Sequence, residues 1–218
     1  MGDRLRLRFS KTGKAKYISH LDLMSTMRRA LLRAGVELKY SEGFNPHPYM
    51  SAALPLPVGY ESVCELMDIE TTGKFSRGIL PEAVTASLPE GLEVHEAYIP
   101  ERKFNGIAWL EISGELYYDK GKPPDAADLL AERFKAESII ISKKTKRGVS
   151  DIDIAQLIRN VSFADHDMTL RAIVSAQNPT INPENLWSAL DGKYSALIPD
   201  FALFTRIEVY DRNMNVFR

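Results

Sequence analysis

The chain has 218 residues, a length that suits one large domain or two small ones. Apolar residues make up 44% of it, charged residues 26%, and the formal net charge is −1, so binding to nucleic acid or membrane would depend on local patches. The single cysteine, Cys64, excludes a disulfide framework or a multi-cysteine metal site within this chain, and the lack of an apolar run near ~18 residues predicts a cytoplasmic protein without a membrane span.

The first forty residues predict a strand followed by a helix. Strict alternation in RLRLRF is a strand signal, and its apolar face would consist of Leu5, Leu7 and Phe9. The segment SHLDLMSTMRRALLRAG has apolar residues at helical spacing. Ser19 is a good N-cap, Asp22 makes an approximate capping box with it, and Gly35 is placed to end the helix.

A proline-rich loop, residues 40–59, follows this helix. Its prolines exclude a helix and disfavour a central strand. Because ~2–6 residues normally connect two elements, the loop is predicted to be a long insertion. The apolar residues expected to anchor it are Phe44, Leu54 and Leu56. The residues that the anchored loop would present are Ser41, Asn45 and His47. We expect them to lie beside residues 19–22.

The remaining patterns complete two similar halves. SVCELMDIE and LEVHEAYIP predict strands, and ILPEAVTASLPEGL between them predicts a short helix, which gives the β-α-β-β-α-β order of ferredoxin-like folds. The second half approximates this order, from the strand IAWLEISGELYY to the strand LFTRIEVYD. The predicted class is therefore α+β, with two ferredoxin-like units in tandem and antiparallel sheets. The units are residues 1–100, which include the loop at 40–59, and residues 106–218, which are divergent.

Arginine and aromatic residues on the strands suggest a nucleic-acid surface. Helices cover one face of a ferredoxin-like sheet, so an arginine ladder that suits phosphate would lie on the open face: Arg4, Arg6 and Arg8. The last strand is expected to carry four residues on one face: Phe204, Arg206, Glu208 and Tyr210. The strand at 107–118 would similarly carry Trp109, Glu111 and Ser113. Aromatic residues between arginines suit single-stranded RNA, and the alternative is solvated or packed strand faces.

Other motifs give weaker indications. The basic stretch at residues 143–147 predicts a hairpin tip that either contacts a nucleic-acid backbone or is a solvated turn. The sequence contains no GxGxxG, GxxxxGK[ST], GxSxG or HExxH pattern, so no cofactor and no metal is expected.

Acid–base chemistry, if this chain performs it, would fall to histidines with nearby carboxylates. His20 lies in the first turn of the predicted helix, and His47 is held between two prolines. These two residues, with Asp22 or Glu65, are the candidates for a catalytic pair. Cys64 lies within an apolar strand and is predicted to be a small buried residue rather than a nucleophile.

Longer sequence words carry a family resemblance. They are SHLD at Ser19–Asp22, YSEGFNPHP at Tyr40–Pro48, and LPLPVG followed by Glu61-Ser62. Single residues that match are Lys11, Gly13, Arg28, Arg29, Arg33 and Gly35. Arg206 looks like the terminal arginine of the family. On these residues the chain resembles the radical-SAM-associated family of the DUF2344 type, most closely over about the first 70 residues.

The resemblance implies a partnership. Such domains occur as separate chains or fused behind radical SAM proteins, and this chain has no CxxxCxxC for the cluster, so it would act as a non-catalytic partner that presents RNA or an RNA-linked substrate. The binding residues expected on this view are Arg4, Arg6, Arg8, Lys11, Ser19, Arg28, Arg29, Ser41, Phe44, Asn45 and Arg206. One alternative is a metal-independent RNA-acting enzyme that uses His20 and His47. Another is a structural subunit without nucleic-acid binding.

Overall fold

A computed structural model describes residues 3–73, 76–145 and 148–218 of the chain. The chain divides into two compact units, Met1–Gly106 with Arg218 and Ile107–Phe217. Both units combine antiparallel strands with few helices, which confirms the predicted α+β class.

Among its described residues, the first unit contains four strands and two α-helices. In chain order they are β1 (Arg4–Lys11), α1 (His20–Arg33), β2 (Met50–Ala52), β3 (Glu61–Glu70), α2 (Leu80–Thr85) and β4 (Leu92–Tyr98). A 3₁₀ helix at Gly13–Tyr17 joins β1 to α1. The strands lie in the order β4-β1-β3-β2, and all neighbours are antiparallel. Arg4 pairs with Glu70 at one end of β1, and Lys11 pairs with Ser62 at the other.

The helices of the first unit cover the apolar face of β1, as the alternation predicts. Leu5, Leu7 and Phe9 are buried in a cluster with apolar residues of both helices. The α1 members of this cluster are Leu23, Met27, Ala30 and Leu31, and the α2 members are Leu80 and Val84. Burial of this shared apolar surface is the main free-energy gain that holds the helices against the sheet.

The ends of α1 also agree with the sequence. The Ser19 hydroxyl accepts a hydrogen bond from the Asp22 backbone N–H at 3.2 Å, and it donates one to the Asp22 carboxylate at 2.7 Å. Ser19 is therefore the N-cap, because it satisfies a backbone donor that has no partner within the helix. At the other end Gly35 has a φ of +78°, which glycine adopts without a steric penalty.

The part of the second unit that the structure describes contains six strands and one α-helix. They are β5 (Trp109–Tyr117), α3 (Ala126–Phe134), β6 (Ile140–Thr145), β7 (Gly148–Asp153), β8 (Ile158–Ala164), β9 (Thr169–Ser175) and β10 (Phe201–Tyr210). Four strands form an antiparallel order β10-β5-β9-β8, and β6 pairs only with β7. A 3₁₀ helix at Pro183–Ala189, with Asn182 as its cap, lies between β9 and β10 in the chain.

The proline-rich loop is held by backbone hydrogen bonds at both ends. Near its start, Tyr40 forms an isolated bridge with Pro48, and the Ser41 N–H donates to the His47 carbonyl at 2.9 Å. Near its end, the Ala53 N–H donates to the Leu66 carbonyl at 2.9 Å. The loop is thus held by backbone hydrogen bonds within itself and to β3, and not all of its apolar side chains contribute.

Phe44 does not anchor the loop, contrary to the sequence prediction. Its relative exposure is 111%, whereas Leu54 and Leu56 are half-buried. The bridge between Tyr40 and Pro48 closes a turn that has Phe44 at its middle, and residues 42–47 of this turn are all exposed. The loop therefore presents Phe44 to solvent.

Candidate functional site

The predicted arginine ladder on β1 does not lie open to solvent. Arg6 is 0% exposed, Arg8 is half-buried, and only Arg4 keeps a large exposed fraction, 46% of its side chain. The prediction of three accessible arginines is therefore wrong at its centre, because Arg6 is buried.

A single carboxylate, that of Asp68 on β3, explains the burial of Arg6. Arg6 Nε donates to Asp68 Oδ1 at 2.6 Å and Arg6 Nη2 donates to Oδ2 at 3.0 Å, which is a bidentate pair. Arg4 Nη2 donates to the same Oδ2 at 2.7 Å. The chain that follows β4 then covers Arg6 with the Arg102 carbonyl, an acceptor at 2.8 Å, and the Phe104 ring, whose centroid is 4.3 Å from the guanidinium carbon.

Arg4 does meet the proline-rich loop. A cavity of about 230 Å³, which we call the loop pocket, lies between residues 47–51, in the middle of the loop, and the end of β3. Its polar lining consists of Arg4, His47, Ser51, Asp68 and Glu70, and its remaining walls are Pro48, Tyr49, Met50 and Ile69. The two features that the sequence marked as a recognition surface, the first arginine of β1 and the loop, thus share one pocket.

The loop fixes the His47 ring at the rim of this pocket. Ser41 Oγ lies 3.0 Å from His47 Nδ1 and accepts a hydrogen bond from the His47 N–H at 3.1 Å. The Asn45 carbonyl oxygen is 3.4 Å from the same Nδ1. Ser41 thus uses its hydroxyl, and Asn45 its backbone carbonyl, to position His47, while Phe44, Asn45 and His47 are exposed on the turn.

His20 and His47 do not form a pair. His47 lines the loop pocket with Arg4, at the start of β1. His20 begins α1 beyond the other end of β1, where the Lys11 ammonium donates to the Lys16 carbonyl. The eight residues of β1 span about 23 Å at the usual rise of a strand. Ser41, Asn45 and His47 therefore do not lie beside residues 19–22, contrary to the sequence prediction. The end of the loop does approach this region, since the Gly59 N–H donates to the Lys16 carbonyl at 2.9 Å.

Two further candidates, Lys11 and Glu65, are buried. Their relative exposures are 1% and 2%. Burial lowers the pKa of Lys11, and the charge of Glu65 partly offsets this effect by stabilising the ammonium form. Neither group is open to a substrate in this structure. Cys64 is likewise 1% exposed, as predicted for a structural cysteine.

Arg28 and Arg29 lie in the middle of α1, away from the loop pocket. Arg28 is half-buried and Arg29 is exposed. The basic stretch at 143–147 lies partly outside the described residues. Lys143, which is described, donates to the Thr180 carbonyl at 2.7 Å.

The second unit has a sheet face with several aromatic side chains. Trp109, Glu111 and Ser113 of β5 share this face, as the alternation predicts. Its aromatic and arginine members are Trp109, Tyr117, Arg159, Arg171, Phe201 and Tyr210. The Arg159 guanidinium lies 4.0 Å from the centroid of the Trp109 ring, and the Tyr117 and Phe201 rings are 6.0 Å apart. Three carboxylates share this face, Glu111, Glu115 and Glu208, so its two arginines are outnumbered and phosphate is disfavoured there.

Arg206 is not part of the aromatic face. A β-bulge between Arg206 and Glu208 shifts the register of β10 against β5. Phe204 and Arg206 consequently lie on the opposite face, at 3% and 7% exposure, while Tyr210 donates to Glu111 on the open face at 2.6 Å. The prediction of four residues on one face fails because an extra residue reverses the alternation.

Within residues 3–73, 76–145 and 148–218, no three His, Cys, Asp or Glu residues are grouped so that they could hold a metal ion. Among the same residues, no helix has the length and apolar character needed to cross a membrane.

Sequence reasoning missed the residue that organises this site, Asp68. Its signal was present, because Asp68 interrupts the apolar run Leu66–Ile69 at a position that pairs with Arg6 of β1. A buried acid in an apolar run predicts a buried cation opposite it. The full exposure of Phe44 had no comparable signal, since the same apolar side chain in a loop can be either anchor or tip.

Fold and site together define an α+β protein with two antiparallel units and a polar pocket under an ordered proline-rich loop. A family model described as "Uncharacterized protein conserved in bacteria (DUF2344)" matches residues 4–183, and the chain belongs to this family. No curated protein matches the chain. Among solved structures, an unknown protein from Galdieria sulphuraria is similar at 10% identity and a TM-score of 0.28, with 80% of this chain and 81% of that chain covered.

Proposed function

We propose that this protein binds single-stranded RNA, or an RNA-linked substrate, and presents it to a radical SAM enzyme in the cytoplasm. In this role the chain supplies recognition and the partner supplies the chemistry. The partnership rests on the resemblance of the first 70 residues to radical-SAM-associated proteins. The RNA part rests on the loop and the pocket beside it.

The observation that carries the proposal is the fully exposed Phe44 on an ordered loop. Phe44 has a relative exposure of 111%, so a base that stacks on its ring removes apolar surface from contact with water. The Ser41–His47 contacts hold the loop, so less conformational entropy is lost when a ligand binds. His47 follows Phe44 by three residues and lines the loop pocket together with Arg4. Both side chains can contact a phosphate or sugar.

We also infer that both units are ferredoxin-like. The order β4-β1-β3-β2 in the first unit supports this, since that fold has its four strands in this antiparallel order. In the second unit, β5, β8, β9 and β10 follow the same order if the β6–β7 hairpin is an insertion and 3₁₀ turns replace the second helix. Sheets of this kind are common supports for RNA-binding loops and faces, and this likeness alone specifies no function.

The alternative of a histidine-based ribonuclease has less support. Two groups that share one proton transfer must lie within hydrogen-bond reach of the same substrate, directly or through one water. His20 and His47 are at opposite ends of a strand about 23 Å long, so direct cooperation would require a large rearrangement.

The RNA proposal predicts that Phe44→Ala weakens binding of a single-stranded RNA oligonucleotide by about 5- to 150-fold, because stacking contributes about 1–3 kcal/mol per base. Fluorescence anisotropy at low salt measures this change. Phe201→Ala is the matched control, since Phe201 is another exposed phenylalanine, at 57%, on the aromatic face of the second unit. We expect it to leave the affinity within about twofold, which is below the usual contribution of one stacked base.

The reverse pattern would reject the loop as the site. If Phe201→Ala weakened RNA binding and Phe44→Ala did not, the aromatic face would be the RNA surface. If the unmodified protein bound no RNA at low salt, the structural-subunit alternative would stand instead.

The partnership is tested separately. We expect the tagged chain to co-purify with the radical SAM protein of its own organism from a co-expression strain. We also expect Phe44→Ala to leave this association unchanged, because the exposed ring is assigned to substrate. Absence of a complex in co-expression and in size-exclusion chromatography of mixed proteins would reject the partnership and leave the RNA result standing.

A further inference from the structure

We propose that the loop pocket is a phosphate-binding site, with Arg4 as the residue that contacts the phosphate. This inference deepens the proposed function, because it names the chemical group of the substrate that the pocket would hold. It does not depend on RNA as the carrier, since the argument comes from the charges and geometry of the pocket itself.

Ion pairs join the charged residues at and around the loop pocket. Arg4 and Arg6 both donate to the one carboxylate of Asp68, at 2.7 Å and 2.6 Å. Glu70 is paired separately with Lys39 at 3.1 Å. The charged groups that line the pocket are therefore Arg4, Asp68 and Glu70, and each of the two carboxylates has its own cation outside the lining, Arg6 for Asp68 and Lys39 for Glu70. Glu42, which also acts on Lys39, lies outside the lining as well.

Arg4 and Arg6 differ in their accessibility to a ligand. Arg6 is 0% exposed, forms the bidentate pair with Asp68 and is covered by Phe104, so it cannot turn towards a ligand. Arg4 uses Nη2 for Asp68 and keeps 46% of its side chain exposed, so other donors of its guanidinium remain accessible at the pocket. The buried pair thus neutralises Asp68, and the half-exposed arginine supplies the positive charge to a ligand.

The pocket offers further donors around Arg4. Ser51 is exposed on β2 opposite Asp68, and its hydroxyl can donate to an oxyanion. The His47 ring is positioned by Ser41 through Nδ1, which leaves Nε2 as the second ring nitrogen for a ligand. An arginine with neighbouring hydroxyl and imidazole donors is a suitable set for a phosphate, whose oxygens accept several hydrogen bonds at once.

Size and shape narrow the ligand. Pockets for drug-sized molecules usually have volumes of about 300–1,000 Å³. The loop pocket has about 230 Å³, so it suits a phosphate with a short part of its carrier better than a whole nucleotide. A base attached to that phosphate would lie outside the pocket, where Phe44 is exposed on the same loop.

The test uses inorganic phosphate as the probe and the full chain in low-salt buffer. Chemical-shift titration or calorimetry should detect binding to the unmodified protein. Arg4→Ala should weaken this binding at least about tenfold, because a hydrogen bond to a charged group contributes that much in affinity. Arg8→Ala is the matched control, since it removes the same charge from the same strand outside the pocket, and should change the affinity less than about twofold.

Two further arms identify the source of the phosphate. A 5′-phosphorylated oligonucleotide should bind more tightly than its 5′-hydroxyl counterpart, and Arg4→Ala should abolish that difference. Phe44→Ala should weaken both oligonucleotides and leave inorganic phosphate unchanged. Loss of the Phe44 effect with phosphate binding retained would reject the RNA proposal alone.

Equal phosphate affinity in Arg4→Ala and Arg8→Ala would overturn the phosphate site, and so would a lack of phosphate binding in the unmodified protein. Arg4 is half-exposed, so Arg4→Ala is expected to fold, and thermal unfolding checks this. Should it unfold, Ser51→Ala is the second variant, and an affinity identical to that of the unmodified protein would equally count against the site.

Discussion

Asp68→Ala is expected to lower the free energy of unfolding by about 3–5 kcal/mol, because removal of one partner leaves the other charge buried and uncompensated. Arg6 is 0% exposed and donates two hydrogen bonds to this carboxylate, so it cannot regain solvent without moving the chain that covers it. Chemical denaturation followed by circular dichroism measures the change.

Two comparisons separate this mechanism from a general loss of charge. Arg4→Ala removes a cation from the same carboxylate, but its side chain is 46% exposed, so we expect a loss of no more than about 1 kcal/mol. The double variant Arg6→Leu, Asp68→Leu removes both buried charges and should be more stable than Asp68→Ala. Equal losses for Asp68→Ala and Arg4→Ala would show that the buried pair has no special role.

Gly91→Ala is expected to lower the free energy of unfolding by about 2–5 kcal/mol, the sum of a left-handed backbone penalty and a steric overlap. Gly91 directly precedes β4 and has a φ of +89°. An added Cβ would lie 2.2 Å from the Thr12 carbonyl oxygen and 3.0 Å from Ala15 Cβ. Backbone atoms must therefore shift at the junction between β1, the 3₁₀ helix and β4.

Gly35→Ala is the matched control for this prediction. Gly35 has a similar φ, +78°, but an added Cβ there would meet nothing within 4 Å. We expect only the conformational penalty, about 1–2 kcal/mol, so the difference between the two variants isolates the overlap with Thr12. The same loss in both would mean that the carbonyl of Thr12 moves aside without a significant energy change.

Local patterns predicted the first unit well. The alternation in RLRLRF identified the apolar face of β1, because strand side chains alternate and one face must meet the helices. Ser19 and Gly35 marked the ends of α1, because capping and left-handed backbone are properties of a few neighbouring residues. The prolines of residues 40–59 correctly excluded a helix.

Long-range contacts accounted for the failures. The sequence placed Arg4, Arg6 and Arg8 on one face, but their exposure depended on Asp68, 62 residues from Arg6, and on the chain after β4. Arg206 was assigned to the wrong face because a bulge in β10 changed the alternation. Neither the acid partner nor the bulge belongs to the local pattern that was used to predict the face.

The sequence by itself determined the α+β class, the capped first helix, the buried face of β1 and the family to which the chain belongs. These depend on local spacing and on words such as GFNPHP, which are independent of how distant segments meet. Only the tertiary structure decided that Arg6 is buried, that Arg4 is open, that His20 and His47 are apart and that Phe44 is exposed. The physical reason is that solvation and ion pairing depend on which distant residues cover a side chain. The Asp68 carboxylate binds both Arg4 and Arg6, and of these two arginines Arg6 is buried whereas Arg4 stays accessible at the pocket.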